Sequence, residues 1–201
     1  MAKNHKELDS ILEFMLSADR LKEVDRTGWV ISKVRDPEHV GDHSYSTAVL
    51  SYLLAVNMGL DAERCALMAL YHDINEILTG DVATRYKESD QIMPPKLKKI
   101  TERKNELKLT ALLPGKERKK VRSLLDELYA QRSEEAKLVK QADKLDYIIQ
   151  LELYKDKIKE DERAKEFFKT ADRRIDMPEV RYLYEKVKAM VFKHRNMTEQ
   201  D

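Results

Sequence analysis

The sequence predicts an all-α protein folded as a single compact helical bundle. Three observations carry that prediction. Leu, Lys, Glu, Ala and Arg dominate and charged residues reach 37%, a mixture that favours helix. Gly and Pro number only five each, so few positions interrupt a helix. Apolar residues recur at helical spacing, and no run of alternating β-branched residues is long enough for a strand. A chain of 201 residues is long enough for one domain with a real core, and no Gly/Ser/Pro-rich linker divides it, so residues 1–201 are expected to form one unit.

The elements follow in order. Leu8, Ile11, Leu12, Met15 and Leu16 make a helical stripe over 7–18, extended by Leu21 and Val24. Asp25-Arg26-Thr27-Gly28-Trp29 reads as a turn with Gly at its bend. Asp36-Pro37-Glu38 reads as a helix start, with an N-cap carboxylate and Pro at the first helical position. That helix should run to Met58 and stop at Gly59, with Val40, Ala48, Val49, Tyr52, Leu53 and Val56 on its apolar face. Asp61 caps the next helix, which is apolar on nearly all sides and should end near Ile77-Leu78 before the turn Thr79-Gly80-Asp81. Residues 81–93 read as an irregular loop. Helices are expected over about 96–112, 116–131, 133–159, 162–170 and from Pro178 to about His194.

Charge and cysteine usage narrow the function. The formal net charge is +1, so no global basic field steers the chain toward nucleic acid. Residues 96–122 are rich in Lys and Arg but hold no aromatic residue for base stacking, and they read as a solvated helical face. The single Cys65 allows no intrachain disulfide and reads as a packed side chain. No signal peptide and no membrane span is evident, so no membrane partner is expected and a cytoplasmic protein is the default.

His72-Asp73 is the chemically informative pair, an imidazole beside a carboxylate at the end of an apolar helical run. A buried unpaired carboxylate is costly and needs a cation or several donors. His43 in one helix and Asp143 in another offer two more donors. Three helices would then bring two imidazoles and two carboxylates to one point. This mixed set suits one divalent ion, Mn, Co, Fe, Ni or Zn, with Mg less suited because it prefers oxygen. Glu76 lies one helical turn from both His72 and Asp73 and is the candidate to position or deprotonate water, with Asp73 as an alternative aid. Arg26 offers a fork of donors for phosphate, and Trp29 a rigid surface for a sugar or base.

His43, His72-Asp73 and Asp143 match, in order and rough spacing, the H…HD…D signature of the HD-domain metal-dependent phosphohydrolases. A finer match resembles the 5'-deoxynucleotidase-like branch. It rests on Arg26 with Trp29, on Asp42-His43-Ser44, on the stretch His72-Asp73-Ile74-Asn75-Glu76-Ile77-Leu78-Thr79-Gly80-Asp81, and on Ala142-Asp143-Lys144-Leu145. The resemblance covers about 8–190, which would be the domain core. It implies a phosphomonoesterase acting on the 5'-phosphate of (deoxy)nucleoside monophosphates, a catalytic Glu76, and a homodimer. It also implies that Asp81, Val82, Ala83 and Thr84 contact the nucleoside, although the family tends to hold Pro where Ala83 stands. The family's nucleotidases often place Arg and Trp side by side, whereas Thr27-Gly28 intervenes here. Arg85 and Lys87 are secondary phosphate candidates. His39 is set aside because the resembling proteins hold no His there, and Asp146 is given a solvated or supporting place. Two alternatives stay open: the same site acting on a dNTP, cyclic dinucleotide or alarmone, and a non-enzymatic helical module binding through 96–122.

Overall fold

The computed structural model describes residues 5–83, 91–158, 160–195 and 197. Ten α-helices follow one another among the described residues: α1 (His5–Ala18), α2 (Thr27–Ile31), α3 (Val40–Met58), α4 (Ala62–Tyr71), α5 (Glu76–Thr79), α6 (Pro95–Thr110), α7 (Gly115–Ala130), α8 (Glu134–Leu153), α9 (Asp161–Asp172) and α10 (Pro178–Arg195). A 3₁₀ segment, Asp19–Glu23, follows α1. The described residues contain no strand, only an isolated antiparallel bridge between Asp25 and His39. No described helix is long and apolar enough to cross a membrane.

Helix α8 is the axis of the bundle and packs on α3, α4 and α10. Ala136, Leu138, Val139, Ala142, Leu145, Ile148 and Leu151 along it are wholly buried. All but Ala142 join Ala48, Cys65, Met68, Ala69, Val180 and Tyr184 in the larger apolar cluster. Phe14, Leu21, Val40, Ile74, Ile77, Leu109 and Leu125 belong to a smaller one. The chain passes between the clusters repeatedly, and two of these passages run from Val40 to Ala48 on α3 and from Ala69 to Ile74 after α4. His43 lies in the former and His72-Asp73 in the latter. Polar side chains collect at that seam because neither cluster fills it. Cys65 is a buried core residue, and burial pushes its thiol pKa up to about 12.

Several helix ends follow the sequence signals. Asp61 Oδ1 accepts from the Arg64 backbone N–H at 3.0 Å, and Gly59 ends α3 at φ 70°, where a Cβ would be strained. Other expectations are corrected. Gly28 lies inside α2, and the left-handed residues of the neighbourhood are Lys33 and Asp36. Asp36-Pro37-Glu38 does not start α3; the helix begins at Val40, where the His39 N–H donates to Asp42 Oδ2 at 2.9 Å. Glu38 is instead committed to tertiary partners. Its N–H donates to the Tyr154 hydroxyl at 2.9 Å, its carbonyl accepts from Arg26, and its carboxylate accepts from Trp29.

The apolar stripes are also turned about. Leu8, Leu12, Met15 and Leu16 on α1 are 50–69% exposed, and Phe14 is the residue that α1 buries. On α3, Val40 and Ala48 are buried, but Val49, Tyr52, Leu53 and Val56 are 43–60% exposed. The buried face carries His43, Ser44, Thr47, Ser51, Leu54 and Ala55, most of them small enough for α4 and α8 to approach closely. Helix α4 ends at Tyr71, short of Ile77-Leu78, because His72 Nδ1 sits 2.6 Å from the Ala69 carbonyl and the chain continues in turns to Glu76. Helix α8 ends at Leu153, before residue 159.

Candidate metal centre

The seam places three donor groups within reach of one ion: His43 from the first turn of α3, and His72 and Asp73 from the turn after α4. His43 Nε2 lies 3.3 Å from His72 Nε2 and 3.8 Å from Asp73 Oδ2, and His72 Nε2 lies 3.1 Å from Asp73 Oδ2. Asp143, two turns and more into α8, joins through Oδ1 at 3.3 Å from His43 Nε2. Donors bound to one ion at about 2.0–2.2 Å stand roughly 3.0–3.4 Å apart. Three of the four separations fall in that range and His43 to Asp73 is longer at 3.8 Å; the mixed nitrogen and oxygen set suits a transition-metal ion. The outward nitrogens are already taken, His72 Nδ1 by the Ala69 carbonyl at 2.6 Å and His43 Nδ1 by Asp146 Oδ2 at 2.7 Å.

Charge at the site is dense and largely dehydrated. Burial raises the Asp73 and Asp143 carboxyls, but cationic partners outweigh it: His72 and Arg26 hold Asp73, and Lys144 with the histidines holds Asp143, both well below the usual carboxylate range. Burial and the Arg26 charge push His43 down, yet the hydrogen bonds it donates to Asp143 and Asp146 prevail and leave it at about 9. A metal must displace the proton on Nε2. Apparent metal affinity should therefore rise with pH, by about tenfold per unit, until pH approaches 9. Competition titrations at pH 6.5, 7.5 and 8.5 would check this, and a flat response would contradict it.

Glu76 opens α5 and is 5% exposed. Burial, with Asp73 and Asp81 nearby, raises its carboxyl well above the usual range. Its Oε2 and the neighbouring Asn75 Oδ1 have no hydrogen-bond partner among the described residues. Both residues line a small cavity of about 10 Å³ with Thr79, Val82, Lys98 and Thr101. Arg26 reaches the seam from the residue before α2, with Nη1 3.4 Å from Asp73 Oδ2 and Nε 4.0 Å from Glu38 Oε1. Asp81 Oδ2 accepts the Thr27 N–H at 2.7 Å, which ties the loop after α5 to the start of α2 beside Arg26. Asp81, Val82 and Ala83 are partly exposed, whereas Thr84, Arg85 and Lys87 lie outside the described residues.

Trp29 departs from the expectation of a surface for a sugar or base. It is 2% exposed, packs on Tyr154 and Phe167, and donates Nε1–H to Glu38 Oε1 at 2.7 Å. It is a core residue that holds Glu38 beside Arg26. Trp29→Ala should therefore cost about 3–5 kcal/mol of stability in urea unfolding; unchanged stability with weakened nucleotide binding would restore the surface reading.

Three residues at the site escaped the sequence reading. Lys98, one cation in the long basic stretch, donates to the Val82 carbonyl and so holds the loop after α5. Glu38 had passed for a first-turn helix residue. The third, Asp146, was placed by its spacing of three from Asp143 but left between a solvated and a supporting role; it is buried, and what the sequence did not show is its partner, His43. His39 points away from the seam, toward Asp25 and Asp42. In the basic stretch, Arg118 and Arg122 donate to carbonyls at the end of α6, and Arg103 pairs with Glu106 and Asp126.

Comparison with known proteins identifies the family. Residues 18–181 match the family model described as HD domain. The chain is 35% identical over 181 residues to the human protein named 5'-deoxynucleotidase HDDC2, an alignment spanning 90% of this chain and 85% of that one. It is 38% identical over 138 residues to a Yersinia pestis protein named 5'-deoxynucleotidase, covering 66% and 68% of the two chains. Among solved structures it resembles a Pyrococcus horikoshii protein with a TM-score of 0.70 and 27% identity, over 90% of this chain and 98% of that one. The match to the family model over most of the length, together with relatives well above 30% identity, means that the chain belongs to the HD-domain family of metal-dependent phosphohydrolases.

Proposed function

We propose that the protein is a phosphomonoesterase that removes the 5'-phosphate from deoxynucleoside monophosphates. The observation that carries this reading is the place of Arg26, whose guanidinium lies against Asp73 at the edge of the donor cluster and beside the Asp81 loop. A monophosphate held there would meet the Arg26 fork and the metal ligands together. The names of the relatives above support the same substrate class. His43, His72, Asp73 and Asp143 would hold one divalent ion, with Mn, Co, Fe, Ni or Zn better suited than Mg. When bound, such an ion polarises a phosphoryl oxygen and acidifies water. Arg26 orients the phosphate. Glu76, buried and one turn from the ligands, is the group placed to move a proton between the attacking water and the leaving 5'-oxygen. Asp81 with Val82 and Ala83 forms the side of the site where the nucleoside would lie; the same assignment for Thr84 falls outside the described residues.

The experiment is phosphate release from dAMP, dATP and a cyclic dinucleotide with Mn or Co present. Turnover of dAMP at least about a hundredfold more efficient than of the other two is expected, a difference of roughly 2.7 kcal/mol in activation free energy. Preference for dATP or the cyclic dinucleotide would replace the substrate assignment, and inertness toward all phosphoesters would overturn the reading. The free, buried thiol of Cys65 fits a cytoplasmic setting.

A homodimer is part of this reading. Leu12, Leu16, Tyr45, Leu53 and Val56 are each 57–69% exposed. Met15, Tyr45 and Leu70 border one groove of about 440 Å³ that joins α1, α3 and α4. Exposed apolar side chains gathered on one side of a molecule are the kind of surface that a partner subunit covers. Light scattering at micromolar concentration should give twice the chain mass, and Leu53→Glu should give the monomer; a monomeric wild type would refute the assembly.

A further inference from the structure

We infer that Asp146 is a positioning residue: its carboxylate holds the ring N–H of His43 and thereby turns the Nε2 lone pair toward the metal ligands. The inference rests on the reading of His43, His72, Asp73 and Asp143 as one metal centre. A neutral imidazole carries one proton on two nitrogens, and a metal takes the nitrogen without it. The partner of the other nitrogen therefore decides whether the ring can serve as a ligand, and in which orientation.

Helix α8 grips His43 from both sides. Asp143 and Asp146 stand one turn apart on the same face of the helix. Asp143 Oδ1 lies 3.3 Å from Nε2, and Asp146 Oδ2 lies 2.7 Å from Nδ1. The ring is wholly buried and the Asp146 side chain is 8% exposed. Water competes weakly for that bond, and burying the Asp146 charge is tolerable because the imidazole answers it. Thr47 Oγ1 also approaches Nδ1, at 3.4 Å, so the hydroxyl and the carboxylate flank the same ring edge.

The second imidazole ligand is held differently. His72 Nδ1 faces the Ala69 carbonyl at 2.6 Å, a neutral acceptor supplied by its own helix. An ionised acceptor stabilises the ring proton more strongly than a carbonyl and leaves the opposite nitrogen a better donor. The orientation of His43 thus depends on a side chain 103 residues away rather than on the local backbone. Substitution can remove the Asp146 contact, whereas the contact of His72 is built into the main chain. The contact of Asp146 is with the outer nitrogen of His43, so its effect passes through that ring.

The test uses the full chain, stripped of metal with a chelator and titrated with Zn or Mn. Asp146→Asn should weaken metal binding by about 10–100-fold, while the metal-free variant unfolds within a few degrees of the wild type. A second measurement needs no variant. Long-range proton–nitrogen NMR of the zinc-loaded wild type should show His43 with its proton on Nδ1 and metal on Nε2. Binding by D146N within about twofold of wild type overturns the role of Asp146 alone, as does a His43 ring protonated on Nε2. Wild-type protein that binds no metal overturns both this inference and the metal centre beneath it. If D146N does not fold, the NMR result decides.

Discussion

Replacing His72 by alanine should strip the metal from the protein and lower phosphate release by at least about a thousandfold, a loss of roughly 4 kcal/mol in transition-state stabilisation. The imidazole supplies the Nε2 that stands 3.3 Å from His43 Nε2 and 3.1 Å from Asp73 Oδ2. Without it, one face of the donor cluster is open and the negative charges of Asp73 and Asp143 lose a shared partner. The fold should survive. The His72 side chain gives the main chain one contact, to the Ala69 carbonyl, which also accepts the His72 backbone N–H, so losing that contact costs about 0.5–1.5 kcal/mol. Metal content by mass spectrometry and kcat/KM on dAMP are the readouts. A variant that keeps wild-type metal content and rate would remove His72 from the site.

Glu76→Gln separates chemistry from metal binding. The amide keeps the size and shape of the side chain but cannot accept or release the proton. Metal content should stay at the wild-type level, KM should hardly move, and kcat should fall by about 100–1,000-fold, the range for loss of a positioned acid or base. Stability should not fall, because an amide is cheaper to bury beside Asp73 and Asp81 than a titrating carboxyl. A kcat within about threefold of wild type would show that Glu76 is a bystander.

The two variants test different parts of the sequence argument, and those parts differed in how legible they were. The donor cluster was readable because each residue is chemically conspicuous where it stands. A His-Asp pair inside an apolar helix has a cost that invites explanation, and His43 and Asp143 supply it from helices that the sequence marks well. The helix stops were readable for similar reasons: Gly59 adopts a left-handed conformation, and Asp61 caps α4 with its own side chain. The buried face of α3 was not readable. Amphipathic reasoning assigns Tyr52, Leu53 and Val56 to the core, yet the helix buries His43, Ser44, Thr47 and Ser51. The seam needs polar and small side chains, and the apolar ones are left for another surface.

Trp29 and Asp146 were conspicuous in the sequence, but it did not decide between their roles. The meaning of each depends on a partner distant in sequence or turned inward. Trp29 is defined by Glu38 and the rings of Tyr154 and Phe167, and Asp146 by His43. Lys98 was hidden by its neighbours, since nothing separates it in sequence from the other lysines of α6. Its contact with Val82 exists only because α6 lies over the loop after α5.

The central claim is that this chain is a phosphomonoesterase working through one metal held by His43, His72, Asp73 and Asp143. The most direct measurement is phosphate release from dAMP by chelator-treated protein before and after adding back one equivalent of Mn or Co. The account predicts no turnover in the stripped protein and recovery of activity that saturates near one ion per chain, abolished by Asp73→Ala. Turnover that is the same with and without metal, or that no divalent ion restores, would contradict it.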